Sequence, residues 1–249
     1  MTAPAGLPGI DVAYLQGSVD WRAVAASGVA FAFVRTGEST YGEPDLSFRR
    51  NFDAAREAGI VAGGYHVLHW DRPTAEQAKL MRLRMHDFAA GRDMPPAIDF
   101  EWIAGRGCDA PAVRVCEDFA KALADAFGVA PILYSSIGFL GPAVRPGTPL
   151  AALDLWAAHY GVSIPTVPSA WPTWRFHQWI GNGGKVPGVA VDCDRDVFHG
   201  DRAAFDAWLR RTAGDTDPAP PPTLRSLEPP RAESVEAPLT ASLLPEAKP

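Results

Sequence analysis

Apolar positions along this chain gather into short runs, and between many of the runs lie segments whose apolar residues recur three or four apart. The runs at residues 9–14, 29–35, 60–67, 97–101, 131–135, 155–160, 174–179 and 189–198 have the length and composition of strands. The segments at residues 20–25, 46–58, 74–89 and 109–127 have helical spacing. Ser18 is a candidate cap for the first, and Gly28, Gly59 and Gly128 are natural stops. Residues 201–211 form a closing helix, while the stretch between residues 136 and 200 carries no comparable helical period. Strands alternating with helices predict a parallel sheet. About eight of them predict an α/β fold of the irregular TIM-like (β/α) barrel kind, with a helix-poor second half. Beyond residue 212 the pattern stops: nine prolines punctuate an Ala-, Glu- and Ser-rich stretch that cannot build a core. The expected division is therefore a barrel domain at residues 1–212 and an extended tail or linker at residues 213–249. Its few leucines (Leu224, Leu227, Leu239, Leu243, Leu244) are available to dock on a protein partner.

Composition narrows the classes. With 249 residues, 47% hydrophobic and 21% charged, the chain is of ordinary globular character. A net charge of -6 and no stripe of Lys or Arg argue against nucleic acid as a partner. No apolar run is long enough to span a bilayer. The first eight residues have neither the basic nor the apolar region of a secretory signal. Three cysteines (Cys108, Cys116, Cys193) leave at least one unpaired and match no metal spacing, so neither a metal site nor a disulfide framework is expected.

The chemistry concentrates in residues 94–102, Met-Pro-Pro-Ala-Ile-Asp-Phe-Glu-Trp. Strand side chains alternate faces, so Asp99 and Glu101 share one. Two acids side by side raise each other's pKa, and such a pair is either a structural, salt-bridged pair or a reactive one. Barrel sites lie at the C-terminal ends of the strands. There the predicted strands place Asp11, Tyr65, Asp99, Glu101, Tyr134, His159, Tyr160, Gln178 and the series Asp192, Asp194, Asp196. Many acids with many aromatics suit a carbohydrate: sugar faces stack on rings, and glycoside hydrolysis needs one protonated carboxyl and one carboxylate.

Six segments in order carry a resemblance: Gly9-Ile10-Asp11-Val12, Val19-Asp20-Trp21, residues 62–66 (Ala-Gly-Gly-Tyr-His), residues 97–101, residues 155–160 (Leu-Trp-Ala-Ala-His-Tyr) and residues 184–188 (Gly-Lys-Val-Pro-Gly). Together they resemble the glycoside hydrolase family 25 lysozymes over about residues 9–208. The resemblance implies an irregular β/α barrel that cleaves peptidoglycan glycan strands after N-acetylmuramic acid without a cofactor. It implies Glu101 as general acid and Asp99 as the assisting carboxylate that positions the substrate's N-acetyl group. Asp11 lines the same site. The family's last-strand pattern, Val-Asp-Leu-Asn-x-Phe, aligned on Phe198, puts its aspartate at Asp194, with Asp192 and Asp196 on the same strand face. Tyr65, Tyr134, Trp156, His159, Tyr160, Gln178 and Asp192 are the expected substrate contacts. Two segments depart from the family: Thr36-Gly37-Glu38 replaces Thr-Glu-Gly, and Val67 replaces the usual Phe, which leaves Trp70 to supply the rim aromatic. The alternative is a non-catalytic wall-binding or structural component of a phage or injection particle on the same barrel. A glycosidase acting on chitin fits the last two segments less well. Without a signal peptide, the expected route is synthesis in the cytoplasm and action at the bacterial cell wall, after release as an endolysin or carried on a phage-like particle.

Overall fold

The computed structural model of the chain describes residues 3–38, 44–103, 105–181 and 183–214. Eight strands follow one another around a closed barrel: β1 Leu7–Val12, β2 Phe31–Glu38, β3 Val61–Val67, β4 Ala97–Asp99, β5 Ile132–Ser136, β6 Leu155–Ala158, β7 Phe176–Ile180 and β8 Asp194–Phe198. β1 to β7 run parallel, as expected. β8 corrects the expectation, since it is antiparallel to both β7 and β1. A parallel return needs a crossover that carries the chain back to the other end of the barrel. No helix lies among the described residues between β7 and β8, so the chain re-enters the sheet at the end where β7 left it.

Around the strands lie α1 Trp21–Ala26, α2 Phe48–Glu57, α3 Thr74–Arg84, α4 Ala110–Phe127, the single turn α5 Ile137–Leu140, and α6 Arg202–Thr212. Local chemistry sets their ends. α1 is capped by Asp20 rather than Ser18: its carboxylate accepts the N–H groups of Arg22 and Ala23 at 3.1 Å. Asp109 caps α4 in the same way, and Gly128 ends it in the left-handed conformation. The third helix stops at Arg84, short of residue 89. There the N–H of Ala89 is taken by the buried Asp93 carboxylate instead of a helical carbonyl. The expected last strand is also shorter, and Val189 contributes only an isolated bridge to Val19.

Strand alternation produces two cores. Along β2, Ala32 and Val34 face the helices while Phe31 and Phe33 face the barrel axis. The interior is aromatic: Phe31, Phe33, Trp156, Phe176 and Phe198 interlock edge to face or stacked. Gly9 makes this possible, because a Cβ there would stand 2.2 Å from the Phe31 ring. α6 closes the barrel at the N-terminal ends of the parallel strands, setting Phe205 and Trp208 against Phe31, Phe176 and Phe198. The opposite end stays open and polar. Among the described residues no helix is long and apolar enough to cross a membrane. The leucines of the proline-rich tail and the loop at residues 39–43 lie outside the described residues.

Candidate active site

The open end of the barrel holds a cavity of about 380 Å3. Its wall includes Asp11, Tyr65, Asp99, Glu101, Tyr134, Trp156, Gln178 and Asp194, eight of the eleven residues expected there.

Each arrives by an identifiable route. β4 ends at Asp99, yet the alternation continues two residues further. The N–H of Phe100 donates to the Tyr134 carbonyl, and the Phe100 ring turns outward onto Trp70 and Phe139. Asp99 and Glu101 are thus left on the cavity side. Because β8 is antiparallel, its first residue rather than its last lies at the open end. Asp194 pairs there with Asp11, and Asp196, one pleat deeper, pairs with Gly9. This register separates the three late aspartates, which the alternation alone left on one face.

Gln178 organises the floor. Its Nε2 donates to Asp11 at 2.7 Å and to Asp194 at 3.4 Å, and its Oε1 accepts the hydroxyls of Tyr134 at 2.8 Å and Tyr160 at 3.0 Å. Carboxylate oxygens can only accept, so the amide nitrogen faces the acids and the amide oxygen takes the two tyrosine hydroxyls. Burial keeps these tyrosines protonated: Tyr134 is held well above the usual phenol range, and Tyr160 is pushed up to about 12.

The acids are tuned upward. Burial, followed by the charge of Asp194, raises Glu101 above the ordinary glutamate range. Burial and Asp194 likewise raise Asp11, against the lowering effect of the Gln178 hydrogen bond. Asp196, 1% exposed, is raised well above the usual range by burial and then by Asp11. A mouth that buries several carboxyls together therefore retains protons at pH values where free carboxylic acids have lost them. Among the described residues no group of three His, Cys, Asp or Glu side chains is arranged to hold a metal ion.

Three expected contacts are placed elsewhere. Asp192 precedes β8, is exposed and pairs with Lys185, so it faces solvent beyond the cavity wall. The His159 ring accepts the Thr166 N–H at 3.0 Å, and its carbonyl receives His177 Nε2 at 2.8 Å; it steadies the loop after β6. Tyr160 is half exposed and reaches the site only through its hydroxyl. Trp70, expected at the rim, packs instead against Phe100 and Phe139. The aromatic at the rim is Trp102, 56% exposed and lining the cavity. Arg35, Val67, His69 and Ile103 complete the wall. Arg35 was findable, since it continues the inward face of Phe31 and Phe33. Trp102 follows the strand end, where no periodicity points to it.

Comparison with known proteins adds the following. The family model described as "Glycosyl hydrolases family 25" matches residues 10–189. Lysozyme M1 of Streptomyces globisporus is 32% identical over 224 residues, covering 84% of this chain and 73% of that protein. The autolytic lysozyme of Clostridium acetobutylicum is 30% identical over 193 residues, covering 77% of this chain and 56% of that one. The crystal structure of the bacterial lysozyme from Streptomyces coelicolor superposes with a TM-score of 0.74 at 30% identity, covering 84% of this chain and 99% of that chain.

Proposed function

The chain belongs to glycosyl hydrolase family 25, and from that premise we propose that it is a muramidase that cleaves the bond between N-acetylmuramic acid and N-acetylglucosamine in peptidoglycan, with Glu101 as general acid and Asp99 as its assisting carboxylate. The observation that carries the residue assignment is the environment of Glu101. It lines the cavity, and burial beside Asp194 favours its protonated form. In this reading Glu101 gives its proton to the glycosidic oxygen as the bond to the leaving sugar breaks. The positive charge that develops on the ring is met by the substrate's own N-acetyl oxygen, steadied by Asp99. Water then adds to the anomeric carbon, with the Glu101 carboxylate taking its proton. Asp194, held with Asp11 by Gln178, supplies the charge that helps burial keep Glu101 protonated. Trp102 at the rim offers a face on which a sugar ring can stack. The barrel through Thr212 is the catalytic domain in this reading. Residues 213–249 are a tail or linker; the enzyme reaches the cell wall after release or on a particle, and in the second case this segment is the tether.

The test is product identity. Purified peptidoglycan is digested, the new reducing ends are reduced with borohydride, and the amino sugars are identified. Reduced muramic acid is the expected product. Reduced glucosamine would mean cleavage of the other linkage, and wall binding without any new reducing end would mean a binding module.

A further inference from the structure

Below the catalytic mouth lies a buried acid that the mechanism above does not use. Asp196 projects into the barrel from β8, in register with Gly9. Its Oδ1 accepts the indole N–H of Trp156 at 2.8 Å. Its Oδ2 is fully buried and meets no N–H or O–H donor among the described residues. The side chain that the register sets beside it on the same face is Asp11, one pleat above on the neighbouring strand, and each carboxyl shifts the titration of the other. Two carboxyl groups can be joined by a hydrogen bond only if one of them carries the proton. The partners identify which. Asp11 accepts an N–H from Gln178 and opens toward the cavity, whereas Asp196 is deeper and has the indole alone. The other groups around it are the carboxylate of Asp194 on its own strand, the Cys193 thiol before it, and the neutral amide of Gln178 in register on β7.

We propose that Asp196 is a positioning residue that carries its proton at neutral pH: its Oδ2–H donates to Asp11, its Oδ1 holds Trp156, and it thereby fixes the acid that faces substrate. The proposal rests on the muramidase reading only for its activity arm. Removal of the Asp196 proton at high pH would set a second buried negative charge against Asp11 and break the link. Asparagine reproduces both hydrogen bonds, with Nδ2–H toward Asp11 and Oδ1 toward Trp156, and cannot ionise. Leucine has a similar volume and makes neither bond.

The direct test is carboxyl-carbon NMR of the full chain labelled at aspartate. The wild type is expected to show one aspartate resonance in the protonated position at neutral pH, absent from both Asp196→Asn and Asp196→Leu. Absence of any protonated aspartate in wild type, or survival of that resonance in a folded variant, would overturn the proposal. In the activity arm, Asp196→Asn should keep kcat/KM within about threefold of wild type and leave the alkaline limb, which Glu101 sets, where it is. Asp196→Leu should lose about tenfold or more, the kinetic equivalent of one buried hydrogen-bonding group left unsatisfied. A loss by Asp196→Asn as large as that by Asp196→Leu would also count against it. Wild type that hydrolyses nothing would sink the muramidase reading and leave the NMR result to stand alone.

Discussion

The two ends of this barrel are made from the same strands by the same alternation, yet they are built to opposite rules. At the closed end the inward positions are Phe31, Phe176 and Phe198, sealed by Phe205 and Trp208 of α6. At the open end, two to four residues further along, the inward positions become Asp11, Arg35, Asp99 and Gln178, joined by Asp194. Burial at the first end is favourable, at about 25 cal/mol per Å2 of apolar surface removed from water. Burial at the second end pushes acids toward their neutral forms and is unfavourable for folding. The difference teaches where this molecule keeps its stability and where it gives some up for chemistry.

Substitutions at the two ends should therefore separate stability from activity. The largest change expected in stability is at the closed end. Phe31→Ala should cost about 3–5 kcal/mol in denaturant unfolding, because its ring is fully buried among three others. The pH dependence of whatever activity survives should be unchanged. Gln178→Leu comes next, at about 1–3 kcal/mol, since Tyr134, Tyr160 and Asp11 each lose a buried partner. It should also raise the Asp11 pKa further, visible in an aspartate titration. Asp194→Asn should act in the opposite sense on the two readouts. It removes a charge that raises both Asp11 and Glu101, so stability at neutral pH should rise by about 0.5–2 kcal/mol. The alkaline limb of activity should move to lower pH, because Glu101 loses the charge that holds its proton. A fall in stability would blur the contrast between the ends. The smallest effect, about 1 kcal/mol, is expected for Asp109→Ala, which removes the α4 cap outside the cavity wall.

The pH dependence of stability sharpens the same contrast. Asp11, Asp196 and Glu101 have folded-state pKa values above their unfolded ones. Their contribution is therefore full below the ordinary carboxylate range and is lost as pH rises through the raised values. Asp87, on the outer face, is the reverse. Hydrogen bonds and charge from Arg49 and Arg56 hold it low despite some desolvation, so its contribution is present above the unfolded pKa and lost as pH falls. Asp87 is partly exposed, and salt screens it. Thermal melts should fall on the alkaline side through the mouth, and on the acid side more weakly and in a salt-dependent way through Asp87.

Most of the fold was legible because alternation and helical spacing are local. The runs around Asp11, Phe31, Tyr65 and Asp99 became strands, and the helical stretch expected from Asp109 and stopped by Gly128 became α4, with Asp109 as its cap rather than its first residue. The direction of β8 was not legible, because a period of two reads the same in both directions. That direction decides which of Asp192, Asp194 and Asp196 reaches the mouth. Asp192 carried the same side-chain chemistry as its neighbours and was separated only by where the strand begins. Trp102 and Trp70 could not be ranked from the chain for a related reason: rim positions are set by loops, whose course follows tertiary packing. Gln178 was among the expected contacts, while its place at the centre of the hydrogen-bond network depends on β7 and β8 meeting in one register.

The central claim is that Glu101 supplies the proton and that its burial is functional rather than structural. It is tested most directly by measuring new reducing ends from purified peptidoglycan with wild type and Glu101→Gln, alongside the melting temperature of each. A general acid contributes about 10^2–10^4-fold in rate. The prediction is a loss of that size with a melting temperature equal to or above that of wild type. Retained hydrolysis by Glu101→Gln would contradict the account.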